Sequence, residues 1–174
     1  MPIVLALLVF ELVQYVIHVA MHRVPRLWAI HAVHHSSEKL DLPSTFRNHP
    51  LDVAITVVVP LLPIALLGGG QRLVLLTGVA VGVHSMVQHA NIDFAASTFD
   101  WFVSTARLHR VHHAREVSDG AANYGGTLIL WDVLLGTRKA LATRDVVDVG
   151  LADGSRFPRS YRGQLLHPFR APRR

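Results

Sequence analysis

Residues 30–36 read IHAVHHS and residues 108–114 read LHRVHHA, two copies of the spacing H-x-x-H-H in a chain that holds 12 histidines. The first copy supplies His31, His34 and His35, the second His109, His112 and His113. On a helix, positions i and i+4 share a face and i+3 lies beside them. His31 with His35, and His109 with His113, can therefore aim two ring nitrogens at one ion, and His18 with His22 repeats the pair. Neutral imidazole suits iron, zinc, copper and nickel, with metal–nitrogen bonds of about 2.1 Å. Eight such ligands are too many for one first-row ion and about right for two. Ions about 3.5–4 Å apart are the usual arrangement when a bimetallic site does chemistry. Each triplet thus reads as one half of a dinuclear centre. The chain has no cysteine, which excludes thiolate zinc sites, iron–sulfur clusters and disulfides.

His84 and His89 are further candidate ligands, with a geometric difficulty. Five helical residues turn the chain by about 500°, so their rings diverge by about 140° unless the helix ends or bulges between them. Of the two, His89 is preferred. His49 and His167 read as ordinary hydrogen-bonded residues. Acids close in sequence to a cluster are few, namely Glu38, Asp93, Glu116 and Asp119. Soluble helical-bundle diiron proteins use Glu and Glu-x-x-His ligands, so this is a different solution. Neutral ligands leave a highly positive cluster, which favours an electrophilic oxidant, while hydrolysis by two zinc ions is compatible with the same ligands.

The elements that must position these histidines are membrane helices. Apolar residues make up 51% of the chain and charged residues only 17%, oilier than ordinary soluble proteins. Ile3 to Met21 is nearly unbroken apolar sequence, long enough for a hydrocarbon core of about 30 Å. No basic residue precedes it and no small-residue cleavage site follows it, so it reads as a span and not as a cleaved signal. Further apolar runs cover Leu51 to Leu67 and Leu73 to Val87, separated by Gly68, Gly69 and Gly70, and predict a transmembrane hairpin with Pro60 and Pro63 kinking its first arm. On this topology Arg72 is the only one of the 17 Lys and Arg residues on the far side, which makes the near side cytoplasmic. The net charge of +5 then faces anionic lipid headgroups, and no nucleic acid is implied. All ten candidate ligands fall at that same face. The expected fold is all-α: an integral membrane helical bundle of about three transmembrane helices with a histidine-rich cytoplasmic cap.

Five blocks, ELVQYVIHVAMHRVPRLWAIHAVHHS, FRNHPLD, QHANI, LHRVHHA and NYGGTLILWDVLLGT, occur in that order between residues 11 and 137. In this the chain resembles the fatty acid hydroxylase and sterol desaturase superfamily over roughly residues 11–138. The resemblance implies an integral membrane oxygenase in which clustered histidines hold two iron ions that activate O2. Zinc is a possible replacement for the iron. Carried over, it makes His18, His22, His31, His34, His35, His109, His112 and His113 ligands, with His89 matching a further family histidine and His84 kept as a candidate beside it. Asn123, Tyr124, Trp131 and Asp132 fall in the last block, read as a lid or scaffold beneath the site. Glu11 stands where the family usually has an acid; a carboxyl inside a membrane segment is costly, and a hydrogen bond to a liganding imidazole would explain it. Val19 and Ala106 depart from the family's usual Arg and Pro, at positions that are not ligands. Relatives usually carry one or more helices ahead of the first histidine helix, so the chain reads as a compact member or as one whose missing helix a partner supplies. Carotenoid hydroxylases are near relatives, but the final block favours the sterol desaturase side.

The expected activity is hydroxylation or desaturation of a sterol or fatty acyl lipid, with electrons from a separate ferredoxin or cytochrome-like donor. Arg107, Arg110, Arg115, Arg138 and Lys139 offer an acidic donor a dock. Residues 1–140 form the expected catalytic domain and 141–174 a basic cytoplasmic tail, and three spans make a homodimer attractive. Rival readings are a noncatalytic metal-binding membrane scaffold and a metal transporter, the latter disfavoured because the histidines gather at one face.

Overall fold

A computed structural model of the chain describes residues 3–92, 98–116, 121–140 and 148–170. Helix dominates them, and the only extended pairings among the described residues are two isolated bridges, Val103 with Leu128 and Ala114 with Val149. Helix α1 (Ile3–Arg23) ends where Pro25 forces its neighbour out of the helical region, leaving Val24 extended at φ −97° and ψ 115°. Pro25 then opens α2 (Pro25–His35) at a position where its missing N–H costs nothing. The corner folds α2 back toward the end of α1 and brings their histidines face to face. Seven successive residues of α2, Ala29 to His35, are buried.

A short 3-10 turn, Leu42–Phe46, is closed by Asp41, whose carboxylate accepts from the Ser44 N–H while the Ser44 hydroxyl caps Asp41 in return. Helix α3 (Pro50–Leu66) follows, with Pro50 in its first turn and the His49 ring capping the Leu51 N–H. The disturbance expected from the prolines takes the form of a wide π-type turn at Ala54–Val58, just ahead of Pro60, which cannot donate to the preceding turn. The glycine turn that reverses the chain is sterically required. Gly68 has φ +77°, and a Cβ on Gly69 would lie 2.6 Å from the Ile64 carbonyl oxygen. Helix α4 (Gly70–His89) returns antiparallel to α3. Phe10 and Ala6 of α1 meet Ile64 of α3 in a fully buried cluster, with Leu61, Leu73, Val74 and Val81 around it.

Two helices, Val4–Arg23 and Gly70–His89, are long and apolar enough to cross a membrane. The third expected span, α3, is shorter, at about 26 Å of helix. The apolar window of α4 is only 6% buried within the chain, and Leu75, Leu76, Val79, Val83 and Val87 all face outward. Such a surface is stable against hydrocarbon and not against water, so the chain is a membrane protein.

At the histidine end lie three short helices: α5 (Ala106–His112), α6 (Leu130–Leu135), which Gly136 terminates in the left-handed region at φ +72°, and α7 (Tyr161–Arg170). The expected tail is partly structured. Its residues 141–147 and 171–174 lie outside the described residues, but 148–170 fold back onto the histidine end. Arg115 N–H donates to the Asp148 carbonyl, Gly150 N–H to the His113 carbonyl, and α7 packs against α2.

Candidate metal centre

Nine of the ten candidate histidines converge into two groups. His18, His22, His31, His35 and His112 form one; His34, His89, His109 and His113 form the other; within each, the ligand atoms lie within 4.8 Å of one another. The triplets do not each build one half. His31 and His35 join the pair from α1 and take His112 from the second triplet, whereas His109 and His113 join His89 and take His34 from the first. Helix geometry explains the exchange: i and i+4 differ by about 40° in azimuth, while i+3 is about 60° away from i on the other side, so each triplet straddles both groups. The rings of His35 and His113 stack at 4.2 Å where the groups meet.

Hydrogen bonds fix the direction of the lone pairs. His18 Nδ1 donates to the Tyr124 carbonyl at 2.7 Å, His112 Nδ1 to the Ala122 carbonyl at 2.8 Å, and His89 Nδ1 to the Ser85 carbonyl at 2.9 Å. His31 Nδ1 donates to the buried Asp52 carboxylate at 2.9 Å. A neutral ring that donates from Nδ1 keeps a bare lone pair on Nε2. Those Nε2 atoms face other imidazole nitrogens: His18 and His31 at 3.1 Å, His89 and His109 at 3.4 Å. Further buried ring nitrogens have no partner among the described residues, namely Nε2 of His22, His35 and His112 and Nδ1 of His34, His109 and His113. Burial, reinforced by neighbouring imidazoles, pushes His31, His34, His35, His109, His112 and His113 well below the ordinary histidine range, so these rings are uncharged at neutral pH. His18 and His31 both donate from Nδ1, so their Nε2 lone pairs face each other with no proton between them, and a cation in that group resolves the repulsion. The donor set is nitrogen throughout, which fits first-row divalent ions.

His84 is not in either group. Its Nε2 donates to the Ser104 carbonyl at 3.0 Å, because the five-residue spacing on the unbroken helix α4 turns it away from His89. Glu11 does not make the expected hydrogen bond to an imidazole; its Oε2 accepts from the backbone N–H groups of Thr127 and Leu128, both at 3.0 Å, and ties α1 to the final block. Asn123, at φ +56°, donates to the Leu108 and Lys139 carbonyls and so braces the second triplet from behind. Asp132 accepts from the N–H groups of Tyr124 and Gly125 and from the Thr137 hydroxyl, which fixes the carbonyl that Tyr124 presents to His18. The scaffold is tight. A Cβ on Gly125 would clash with the Leu128 carbonyl oxygen and lie 2.9 Å from Asp132 Oδ2. Gly125→Ala is expected to destabilise the fold by about 1–3 kcal/mol, read as a lowered thermal transition in detergent.

Glu38 and Glu116 stay outside both groups, and Asp93 and Asp119 lie outside the described residues. His49 caps α3 and donates to the Leu165 carbonyl, and His167 lies against Phe157, the structural roles expected of both. The residue that the sequence reading passed over is Asp52. Its available signal was an acid in the first turn of an otherwise apolar helix, within the block FRNHPLD.

Residues 3–137 match the fatty acid hydroxylase family model. Similar curated proteins include the ornithine lipid hydroxylase OlsE of Rhizobium tropici, 32% identical over 167 residues that cover 96% of this chain and 50% of that one. Alkylglycerol monooxygenases of Homo sapiens (30% identical, 72% of this chain, 28% of that one) and Danio rerio (31%, 76% and 29%) are similar too. The chain spans half or less of the length of these relatives. No solved structure matches. The family model covers both histidine triplets, the first helix and the final scaffold block in one continuous match, and the chain belongs to the fatty acid hydroxylase family.

Proposed function

We propose that the chain is a membrane-bound lipid hydroxylase in which the two histidine groups hold one iron ion each. His18, His22, His31, His35 and His112 hold the first; His34, His89, His109 and His113 hold the second. The observation that supports this reading is the convergence of nine imidazoles into two adjoining groups, within each of which the ligand nitrogens lie within 4.8 Å of one another. A pair of iron ions bound there would supply the reduction of O2 and the oxidising power to break an unactivated C–H bond, with the balance R–H + O2 + 2 e⁻ + 2 H⁺ → R–OH + H2O. The protein's part is to orient and to exclude water. Asp52 and the carbonyls of Tyr124, Ala122 and Ser85 hold four rings in the tautomer that directs Nε2 inward. Full burial of His113 and near-full burial of His89 and His112 keep bulk water from the centre.

Hydroxylation is favoured over desaturation by the relatives, whose names are those of a hydroxylase and of monooxygenases. A membrane lipid of the ornithine lipid or alkylglycerol type is the proposed substrate, reaching the centre from a three-span bundle whose histidine end faces the cytoplasm. Two electrons come from a separate ferredoxin or cytochrome-like protein. The test is an iron-loaded, chemically reduced preparation in nanodiscs, supplied with 18O2 and a panel of ornithine lipid, alkylglycerol and phospholipid. Product carrying one 18O atom, detected by mass spectrometry, is the expected result. No oxygenated product from any lipid of the panel would overturn the proposal.

A further inference from the structure

Helix α7 turns its aromatic side chains and one leucine outward. Its inward side carries Gln164, which is buried and donates to the Pro158 carbonyl. Its outward side carries Tyr161, Leu166 and Phe169, with Tyr161 70% and Phe169 71% exposed, and Arg162 and Arg170 beside them. At about 100° per residue these five side chains span one half of the helix circumference. Two aromatic rings and a leucine turned outward between arginines are the composition of a helix lying in a membrane interface: rings at the acyl boundary, guanidinium groups at the phosphates.

The position of α7 supplies the second observation. The His49 ring caps the Leu51 N–H of α3 through Nδ1 and donates through Nε2 to the Leu165 carbonyl of α7 at 3.1 Å, so α7 is fastened at the point where the apolar hairpin begins. Phe46, itself 69% exposed, and Tyr161 line one crevice of about 110 Å³ beside that link. Exposed Leu51, Val58 and Leu62 run on from there along α3. The outward face of α7 is therefore continuous with a surface that already requires lipid.

We propose that α7 is seated in the headgroup layer of the membrane, with Tyr161, Phe169 and Phe46 at the acyl boundary and Arg162 and Arg170 on anionic lipid phosphates. This surface fixes the depth at which α2 lies, since α7 packs on α2, and α2 carries His31, His34 and His35.

A chain without cysteine allows a direct test by single-site spin labelling. Tyr161→Cys, Phe169→Cys and Phe46→Cys would each be labelled in the full chain in nanodiscs, with Leu76→Cys on the outward side of α4 as the lipid reference and Arg156→Cys as the water reference. All are exposed positions, so substitution leaves the core intact. Collision with an aqueous nickel chelate is expected to be at least about threefold lower at positions 46, 161 and 169 than at 156, with oxygen accessibility moving toward that at 76. In nanodiscs of phosphatidylcholine with phosphatidylglycerol the labels should move deeper than in phosphatidylcholine alone, and Arg162→Gln with Arg170→Gln should abolish that difference. Nickel accessibility at 161 and 169 equal to that at 156 in both lipid mixtures would overturn the proposal. Insertion that does not respond to lipid charge in the parent chain would overturn the role given to the arginines.

Discussion

A chain carrying both His31→Ala and His112→Ala is expected to keep one tightly bound metal ion, whereas a chain carrying His34→Ala and His112→Ala is expected to keep none. Both doubles remove two imidazoles, and both pairs take one residue from each triplet. They differ only in grouping: His31 and His112 converge on the same centre, His34 and His112 on different ones. Loss of a direct ligand should weaken a centre by more than the roughly 10–100-fold that follows loss of an outer hydrogen-bond partner. One vacancy per centre is therefore enough to empty it through gel filtration. The measurement is metal per chain by mass spectrometry after loading with iron or zinc. An arrangement in which each H-x-x-H-H triplet serves its own ion makes the opposite prediction, because there His31→Ala with His34→Ala would spare one ion. In the interleaved arrangement that double empties both. If His31→Ala with His112→Ala keeps no metal while His31→Ala with His34→Ala keeps one, the grouping seen in the structure is wrong.

Much of this site is legible in the sequence because its information is periodic. The i, i+4 pairs announce themselves on any helix, and their placement at the ends of apolar runs identifies a common face without three-dimensional detail. What periodicity does not carry is the azimuth between helices. The triplets read as two separate halves because nothing in the chain shows how α2 and α5 are rotated toward each other; once they face, the i+3 histidines must cross over. His84 shows the same limit in reverse, since its spacing from His89 already argued divergence and the unbroken α4 confirms the geometry. Glu11 was legible as a buried acid that needs a partner, but the partner is a pair of backbone amides 116 and 117 residues away, which no local pattern encodes. The returning segment 148–170 is polar and basic, and only its pairing with Ala114 and its seat on α2 distinguish it from a free tail.

Asp52 carries the other large expected effect. Its carboxylate is 1% exposed and sits 2.9 Å from His31 Nδ1, so it both fixes the ring orientation and places a negative charge one imidazole away from the five-histidine centre. Asp52→Ala removes the acceptor, leaves a buried N–H unsatisfied and frees the ring to rotate. Metal affinity of that centre is expected to fall about 10–100-fold and the four-histidine centre to be affected less, since Asp52 reaches that centre only through its charge on His34 and not through a hydrogen bond to any of its rings. Asp52→Asn separates geometry from charge. Its amide oxygen can still accept from Nδ1, so two ions per chain should be retained and the thermal transition should stay close to that of the parent chain. The lost negative charge instead disfavours the more highly charged ferric state, and the reduction potential of the centre is expected to rise. A spectroelectrochemical titration of the iron-loaded protein reads this directly. A fold that fails in both variants would make Asp52 a structural anchor for α3 and nothing more. Normal affinity in Asp52→Ala with an unchanged potential in Asp52→Asn would show that His31 is held by the metal alone.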